Sequence, residues 1–258
     1  MTADLLSERR GQTLWLTFNR PQARNAITFE MYAELARLCS AAGEDPALRC
    51  IVISSAGGKA FAAGTDMAQF RGFETAQDAW DYEDEVSRVL RAVETCRLPT
   101  VAAIHGACTG GGAAIAAACD IRISTAALKF GFPIARTLGN CLNAENLGRL
   151  SALMGAGRLR EVIFTARLMG AEEALACGLV SEVLDTEDAL IARAEDLAQH
   201  LAGMAPLTLR ATKEAMRRNR EVQAAEDRDL IAMCYTSADF KQGLEAFLDK
   251  KSPNWRGR

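Results

Sequence analysis

The alternation of apolar strands with amphipathic helices is the feature that most constrains the fold of this chain. Up to residue 124 the order is strand, helix, strand, helix, strand, helix, strand, and the predicted elements span 12–18, 29–44, 49–55, 74–97, 100–104, 110–118 and 120–124. The first helix follows Thr28, a residue type that caps helix N-termini well. Strands separated by helices are joined by crossover connections, so the pattern predicts an α/β fold.

The second half of the chain changes in character. A last short strand is predicted at 178–184. Helices are predicted before and after it, at 144–154, 157–166, 171–177, 187–204, 206–219, 223–236 and 238–250. We therefore predict an α/β core over residues 1–198 and a C-terminal helical region over residues 199–258.

Composition excludes several classes of protein. A chain of 258 residues can bury a sizeable core. Its net charge of −3 argues against nucleic-acid binding, which requires a basic surface. No run of about 18 apolar residues predicts a membrane span, and the N-terminus lacks the pattern of a signal peptide. The eight scattered cysteines have no metal-like spacing, so we expect free thiols, no metal site and a cytoplasmic location.

A glycine-rich segment joins the predicted strand at 100–104 to the helix that follows. Gly110, Gly111 and Gly112 lead directly into an alanine-rich run. The first turn of a helix has unpaired N–H donors and the positive end of the helix dipole, and glycine allows a ligand to approach the backbone. The segment is typical either of a site for an anion or oxyanion or of a tight turn that needs small residues.

A second loop of small residues follows the strand at 49–55. Residues 57–67 read GGKAFAAGTDM and precede a predicted short helix that begins near Asp66. Two such loops, each after a strand, could direct two backbone N–H groups at one oxygen. That arrangement would stabilise the enolate of a thioester.

Five stretches of the sequence, taken together and in order, resemble the enoyl-CoA hydratase/isomerase, or crotonase, superfamily. They are LTFNRPQARNAIT (16–28), GGKAFAAGTDM (57–67), PTVAAIHGACTGGGAAIAAACDIRIS (99–124), GAEEALACGLVSEVL (170–184) and QGLEAFLDKKSPNW (242–255). The resemblance implies a spiral of β-β-α turns with a C-terminal helical oligomerisation region, in a homotrimer or homohexamer. It also implies an acyl-CoA substrate, with no cofactor beyond the coenzyme A of the thioester.

The resemblance implies roles for particular residues. The two N–H groups that bind the thioester oxygen would belong to Thr65 and Gly111. The positions expected to contact coenzyme A are Arg24, Ala62, Ala63, Asp66, Phe247 and Lys250. The backbone of Ala62 and Ala63 would meet the adenine, and Arg24 would lie near the phosphates. The alternative for Arg24 and Lys250 is solvated surface charge, and Asp66 is alternatively a helix-start residue or a base.

The acid–base positions of the family depart from its pattern. Hydratases of the family have a glutamate two residues after the third glycine, where this chain has Ala114. A second glutamate follows the proline of the motif that here reads FGFPIAR, at Ile134 or, with a one-residue shift, Ala135. Since alanine and isoleucine cannot activate water or deliver a proton, hydration by a pair of glutamates is not expected.

Other groups could supply the chemistry. Glu145 is a candidate acid or base, or alternatively a carboxylate in the first turn of a helix. Cys141, in a loop that also contains Asn140 and Asn143, could be a nucleophile if its thiolate is favoured, or simply a packed or exposed thiol. His105 is a candidate for catalysis or for a structural hydrogen bond.

Arg136 lies in an otherwise apolar stretch beside the expected pocket. It could pair with Glu145, meet an acyl carboxylate or a phosphate of coenzyme A, or be an exposed loop residue.

The function predicted from the sequence is that of an acyl-CoA-processing enzyme, similar to enoyl-CoA hydratases and isomerases, with Thr65, Gly111 and Glu145 as its catalytic groups. Two alternatives remain open. The chain could bind acyl-CoA without turning it over, because Ala114 and Ile134 replace the glutamates. It could instead cleave thioesters through Cys141.

Overall fold

A computed structural model of the chain describes residues 4–221 and 228–256. Its strands in chain order are β1 (Leu5–Arg10), β2 (Thr13–Phe18), β3 (Cys50–Ser55), β4 (Ala60–Ala62), β5 (Thr100–Ile104), β6 (Ala107–Thr109), β7 (Ile121–Thr125), β8 (Lys129–Gly131), β9 (Met169–Gly170) and β10 (Glu182–Leu184). Its α-helices are α1 (Phe29–Glu44), α2 (Ala76–Thr95), α3 (Gly111–Ala118), α4 (Ile134–Thr137), α5 (Ala144–Met154), α6 (Ala156–Phe164), α7 (Ala171–Ala176), α8 (Glu187–Ala202), α9 (Pro206–Glu221), α10 (Arg228–Tyr235) and α11 (Ala238–Leu248).

The strands form two sheets. One has the order β1-β2-β3-β5-β7-β10, and all its pairs are parallel except β1 with β2. The other has the order β4-β6-β8-β9, in which β4, β6 and β8 are parallel. Each of β3, β5 and β7 is followed by a short strand of the second sheet and then by a helix. This arrangement confirms the predicted α/β fold with its β-β-α turns.

The central strands of the six-stranded sheet are covered on both faces. Val52, Val101 and Ile123 face α8, where Leu190 and Ala194 pack against them. Because both faces are buried, the strands read as continuous apolar runs rather than as alternating ones. The predicted boundary between residues 198 and 199 falls within α8, and that boundary stays a prediction.

Helix α2 is the element that links the core to the C-terminal helices. It begins after Thr75, whose side chain and that of Asp78 cap the first turn reciprocally, and it packs against α1, α3 and α10. Phe70, Tyr235 and Phe240 form an aromatic contact between a short 3₁₀ turn (Met67–Gly72) and helices α10 and α11. The C-terminal helices therefore pack directly beside the loops that were predicted to bind substrate.

Several predicted elements have different bounds in the structure. Thr28 caps α1 as predicted, since its hydroxyl accepts from the Met31 N–H at 3.2 Å. The strand predicted at 178–184 is confined to its last three residues, because Gly178 has a φ of +78° and ends α7. The helix predicted at 223–236 is described only from residue 228 onward. Among the described helices, none combines the length and the apolar character needed to cross a bilayer.

Candidate functional site

The two loops of small residues lie against each other. β4 and β6 pair in parallel, with Ala62 opposite Cys108. A Cβ atom on Gly110 would lie 3.3 Å from the Cα of Gly64, and one on Gly112 would lie 2.5 Å from the carbonyl oxygen of Ala62. The absence of side chains at these glycines is therefore what allows the loops to touch.

Gly111 and Thr65 are brought together at this contact. A Cβ atom on Gly111 would lie 3.1 Å from the Thr65 hydroxyl oxygen and 1.9 Å from the Tyr32 hydroxyl. Gly111 begins α3, and Gly110 before it has a φ of +52°, a conformation that suits glycine. Only glycine fits at residue 111 without displacing Tyr32.

The hydrogen bonds around Thr65 and Gly111 do not include the N–H groups of these two residues. The Ile27 N–H donates to the Gly64 carbonyl and the Asp66 N–H donates to the Ile27 carbonyl, both at 2.8 Å. Between these two bonds, the Thr65 N–H has no acceptor within the described part of the chain, and neither has the Gly111 N–H at the start of its helix. Unpaired backbone donors in a folded protein are typical of binding sites.

A chain of hydroxyl groups holds Thr65 in place. The Thr65 hydroxyl lies 2.9 Å from the Tyr32 hydroxyl and 2.9 Å from that of Tyr82. Burial raises the pKa of Tyr32 to about 12 and also raises the pKa of Tyr82, so both phenols are neutral at ordinary pH. The sequence analysis missed these tyrosines. Tyr32 lies on the apolar face of α1, where a buried hydroxyl requires a partner.

A second polar network lies beside the first. Glu83 on α2 is 7 % exposed, and its Oε2 accepts from the Asn143 amide at 2.7 Å while its Oε1 accepts from the Tyr235 hydroxyl at 2.6 Å. The Ser87 hydroxyl, one turn along α2, lies 3.0 Å from the same amide. The sequence analysis missed Glu83, although its place on the buried face of α2, one turn after Ala79, was a signal.

The two positions where the family pattern expects glutamates are apolar and buried. Ala114 and Ile134 both belong to the main hydrophobic core, and Ala135, the alternative to Ile134, is exposed on α4. Neither buried position offers a group that can exchange a proton.

Glu145 lies in a network of ion pairs. Its carboxylate accepts from Arg91 at 2.7 Å and from Arg149 at 3.1 Å, and Arg149 also binds Glu94 at 3.0 Å. These groups line a cavity of about 1120 Å³ that also contacts Ala118, at the opposite end of α3 from Gly111. The contacts described for Glu145 do not include the glycine loop, and its role as an acid or base stays a prediction.

The first group of predicted coenzyme A contacts lies beside the glycine loop. The carbonyl of Arg24 accepts from the Ala63 N–H at 3.1 Å, so the exposed Arg24 borders the segment that contains the buried Ala62. The Asp66 carboxylate accepts from the Ala68 N–H, which makes Asp66 a helix-start residue, and it also accepts from Arg20 at 3.1 Å. Arg20 is a further cation here that the sequence analysis missed.

Phe247 and Lys250 lie at the end of α11, and both are exposed. Within residues 4–221 and 228–256, no hydrogen bond or ion pair joins Lys250 to the segment around Arg24. Their contact with coenzyme A, in the same chain or a neighbouring one, stays a prediction.

Cys141 is half-buried and contacts Cys234 on α10. The hydrogen bond from Cys141 lowers the pKa of Cys234 to about 7, so the thiolate is favoured at Cys234. In the same loop, the Asn140 amide donates to the Tyr235 hydroxyl at 3.1 Å. The alternative that gave Cys141 a nucleophilic role thus has a second thiol beside it.

The other candidates have structural surroundings. His105 Nδ1 lies 3.0 Å from the Thr125 hydroxyl, as the hydrogen-bonded alternative predicted, and Arg136 is exposed on α4. The described residues contain no cluster of histidine, cysteine and carboxylate side chains suited to a metal ion.

Comparisons with known proteins identify the family of the chain. The sequence model of the family "Enoyl-CoA hydratase/isomerase" matches residues 8–258. A crotonyl-CoA hydratase from Syntrophomonas wolfei is 31 % identical, over 98 % of this chain and 97 % of the relative. A solved enoyl-CoA hydratase/carnithine racemase from Magnetospirillum magneticum has a TM-score of 0.81 at 30 % identity, covering 100 % of this chain and 97 % of that one.

A second solved structure contains a ligand. Methylmalonyl-CoA decarboxylase in complex with 2-nitronate-propionyl-CoA has a TM-score of 0.89 at 25 % identity, with 98 % of each chain covered. The match of the family model over nearly the whole length, together with relatives at about 30 % identity, shows that the chain is an enzyme of the enoyl-CoA hydratase/isomerase family.

Proposed function

We propose that the enzyme acts on acyl-CoA thioesters and that the N–H groups of Thr65 and Gly111 bind the thioester oxygen. As negative charge develops on that oxygen, the two donors stabilise the enolate. The observation that carries this proposal is the meeting of two loops whose amides have no acceptor among the described residues. The acyl-CoA analogue bound to the structurally similar methylmalonyl-CoA decarboxylase supports the class of substrate.

The coenzyme A moiety would lie along the outer edge of the same loops. Ala62 and Ala63 would offer backbone groups to the adenine, with Arg24 and Asp66 beside them. Phe247 and Lys250 would contact coenzyme A from the end of α11, and no cofactor besides the substrate is required. The hydrogen bond from the Ala63 N–H to the Arg24 carbonyl supports this assignment, because it brings the backbone of Arg24 beside the segment proposed to bind the adenine.

The C-terminal helices would mediate assembly into a homotrimer or homohexamer. Leu207 and Met216 on α9 and Leu230 and Met233 on α10 are large apolar side chains with high exposure. Exposed apolar side chains on neighbouring segments of the chain support an interface between subunits here.

The test removes one amide donor while a control removes only the hydroxyl of the same residue. Thr65→Pro deletes the N–H, and Thr65→Val keeps it. With crotonyl-CoA and 3-hexenoyl-CoA as substrates, we expect kcat of Thr65→Pro to fall about 10²- to 10³-fold below that of Thr65→Val. The absorbance of the conjugated thioester follows both reactions.

Three other results decide between the alternatives. Equal rates for the two variants would contradict the proposal. Binding of both thioesters by the native enzyme without any turnover would favour the non-catalytic alternative. Release of free coenzyme A that is lost in Cys141→Ser would favour thioester cleavage through Cys141.

A further inference from the structure

We propose that Glu83 is the acid–base residue of this site, and that it carries a proton between the α and γ carbons of a β,γ-unsaturated acyl-CoA. This inference rests on the function proposed above. It assigns the proton transfer, for which Ala114 and Ile134 are unsuited, to a carboxylate on a different element of the fold.

Glu83 is held in a defined orientation. Its two oxygens accept from different partners, the Tyr235 hydroxyl at 2.6 Å and the Asn143 amide at 2.7 Å. The orientation of that amide is itself fixed, because the other atom of the Asn143 side chain, Oδ1, accepts from the Asn146 N–H at 2.9 Å and caps α5. A carboxylate fixed in this way has the preorganisation that proton transfer to a bound substrate requires.

Glu83 follows a residue of α2 that holds Thr65 in place. Tyr82, the residue before it on α2, bonds to the Thr65 hydroxyl, and the same hydroxyl bonds to Tyr32, which lies against Gly111. The negative charge of Glu83 also raises the pKa of Tyr32, an effect that burial of Tyr32 dominates. The carboxylate is therefore within electrostatic range of Tyr32, the residue that lies against Gly111.

One partner of Glu83, Asn143, comes from the segment in which the family pattern expects a glutamate. Ile134 begins that segment, and Asn140 and Asn143 follow it before α5. The Asn140 amide donates to the Tyr235 hydroxyl, which in turn donates to Glu83. The carboxylate of Glu83 on α2 thus contacts the segment that has no glutamate at Ile134.

Glu83 is reachable although it is buried. It lines the cavity of about 1120 Å³ together with Ser87 and Asn143. That opening gives the carboxylate a route for proton exchange with solvent.

One carboxylate suffices for an allylic proton shift. Glu83 takes a proton from the α carbon; the C–H electron pair forms a double bond to the thioester carbon, and the carbonyl π pair moves onto the oxygen held by Thr65 and Gly111. Glu83, now protonated, gives the proton to the γ carbon, while the β,γ double bond shifts to the α,β position and the carbonyl re-forms. The product is the conjugated thioester, Glu83 is regenerated, and no other reactant is needed.

The experiment measures the isomerisation of 3-hexenoyl-CoA by the full-length enzyme. We expect Glu83→Gln to lower kcat by about 10²- to 10⁴-fold, the range typical of a general acid–base residue. Asp84→Asn is the matched control, because Asp84 is the next carboxylate on α2 and is exposed. Native kcat in Glu83→Gln, or a loss in Glu145→Gln that Glu83→Gln does not share, would overturn the assignment.

A second readout separates this inference from the function on which it rests. Bound hexadienoyl-CoA shifts its absorbance to longer wavelength when its carbonyl is polarised, and this requires no proton transfer. We expect the shift in the native enzyme and in Glu83→Gln alike. Its absence from the native enzyme would contradict the proposed oxyanion site. A normal shift combined with native turnover in Glu83→Gln would contradict only the role of Glu83.

A third variant covers the case in which Glu83→Gln fails to fold because its amide opposes that of Asn143. Glu83→Asp keeps the charge and the acceptor atoms but withdraws the carboxyl group by one methylene. We expect kcat at least about tenfold below native, with the spectral shift retained, because proton transfer depends steeply on distance. Native kcat in folded Glu83→Asp would overturn the proposal.

Discussion

The two ends of helix α3 differ in whether their backbone groups have hydrogen-bond partners. At its start, the Gly111 N–H has no acceptor in the described part of the chain. At its end, the buried guanidinium of Arg122 donates to the carbonyls of Ala116 and Cys119, and also to those of Asp120 and Leu179. One end of the helix is left open, and the other is closed by a side chain from β7.

In this helix of eight residues, the start is suited to binding and the end contributes to stability. Buried donors without partners cost about 1 to 3 kcal/mol each. An unpaired donor at the start of a helix is typical of a site where a ligand supplies the acceptor. The carbonyls at the closed end have the same need and receive a permanent partner. Beyond that end, Arg149 adds ion pairs to Glu94 and Glu145. The closed end therefore holds the helix in place, and the N–H group at the open end can bind a ligand.

The largest effect is expected from breaking the closed end. Arg122→Met removes the partner of four carbonyl groups, and we expect the free energy of unfolding to fall by about 3 to 5 kcal/mol, since each orphaned carbonyl costs about 1 to 3 kcal/mol less any relaxation. Urea unfolding measures the change. The matched control is Arg136→Met at an exposed position, where a change within about 0.5 kcal/mol is expected.

The kcat of Arg122→Met tests whether the closed end of α3 contributes only to stability. The folded fraction of Arg122→Met should retain native kcat, because the closed end does not meet the substrate in our proposal. A large loss of kcat with unchanged stability would show that the two ends are not separated in this way.

The next largest effect is a pH-dependent loss of stability near the closed end of α3, at Glu94. Desolvation raises the pKa of Glu94, but Arg149 and Arg220 outweigh it, and the net pKa lies below 4.5. A carboxyl group with a lowered pKa stabilises the fold above the unfolded pKa and loses that contribution as pH falls through the folded value. We expect Glu94→Gln to cost about 1.5 to 3 kcal/mol at pH 7, the value of hydrogen bonds to a charged group.

The difference between native and Glu94→Gln unfolding free energies should shrink below about pH 4.5, measured by urea unfolding from about pH 7 to about pH 3. Tyr32→Phe, at the open end, is the contrasting variant: the pKa of Tyr32 is about 12, so its effect should be constant over this range. A constant cost for Glu94→Gln would mean that its ion pairs contribute little.

The sequence predicted the parts of the fold that bury long apolar faces. β2, β3 and β5 and the helices α1 and α2 were predicted within a few residues, because each carries a strong pattern of its own. The second sheet was missed as a set of strands. β4, β6 and β8 have three residues each, and a periodicity of two cannot be recognised over three residues. Their positions depend on tertiary pairing.

Dependence on tertiary contacts also limits what the sequence could predict of the site. Gly111 and Thr65 lie in loops whose small residues are visible in the sequence. Glu83 meets Asn143 and Tyr235 across 60 and 152 positions of the chain, so no local spacing joins them. A glutamate on the buried face of α2 was the local signal, but its partners were not predictable from periodicity or motif.

The smallest effect concerns the fit of Gly111 at the open end. In Gly111→Ala the new methyl group would lie 1.9 Å from the Tyr32 hydroxyl, and we expect a loss of about 1 to 3 kcal/mol in unfolding free energy from overpacking, with a lower kcat. Gly148→Ala is the control, because a Cβ there meets nothing within 4 Å. That helical substitution should instead stabilise the protein by about 0.5 to 1 kcal/mol.

Tyr32→Phe tests whether the clash is the cause. Without the hydroxyl, the nearest atom of this side chain to the new methyl group is the ring carbon that carried it, at 3.2 Å. We therefore expect Gly111→Ala to lower the free energy of unfolding less in the Tyr32→Phe background than in the native protein. The double-mutant cycle of unfolding free energies measures this coupling. Additive effects would mean that the methyl group disturbs the loop contact with Thr65 instead, and that the open end is shaped by its backbone rather than by Tyr32.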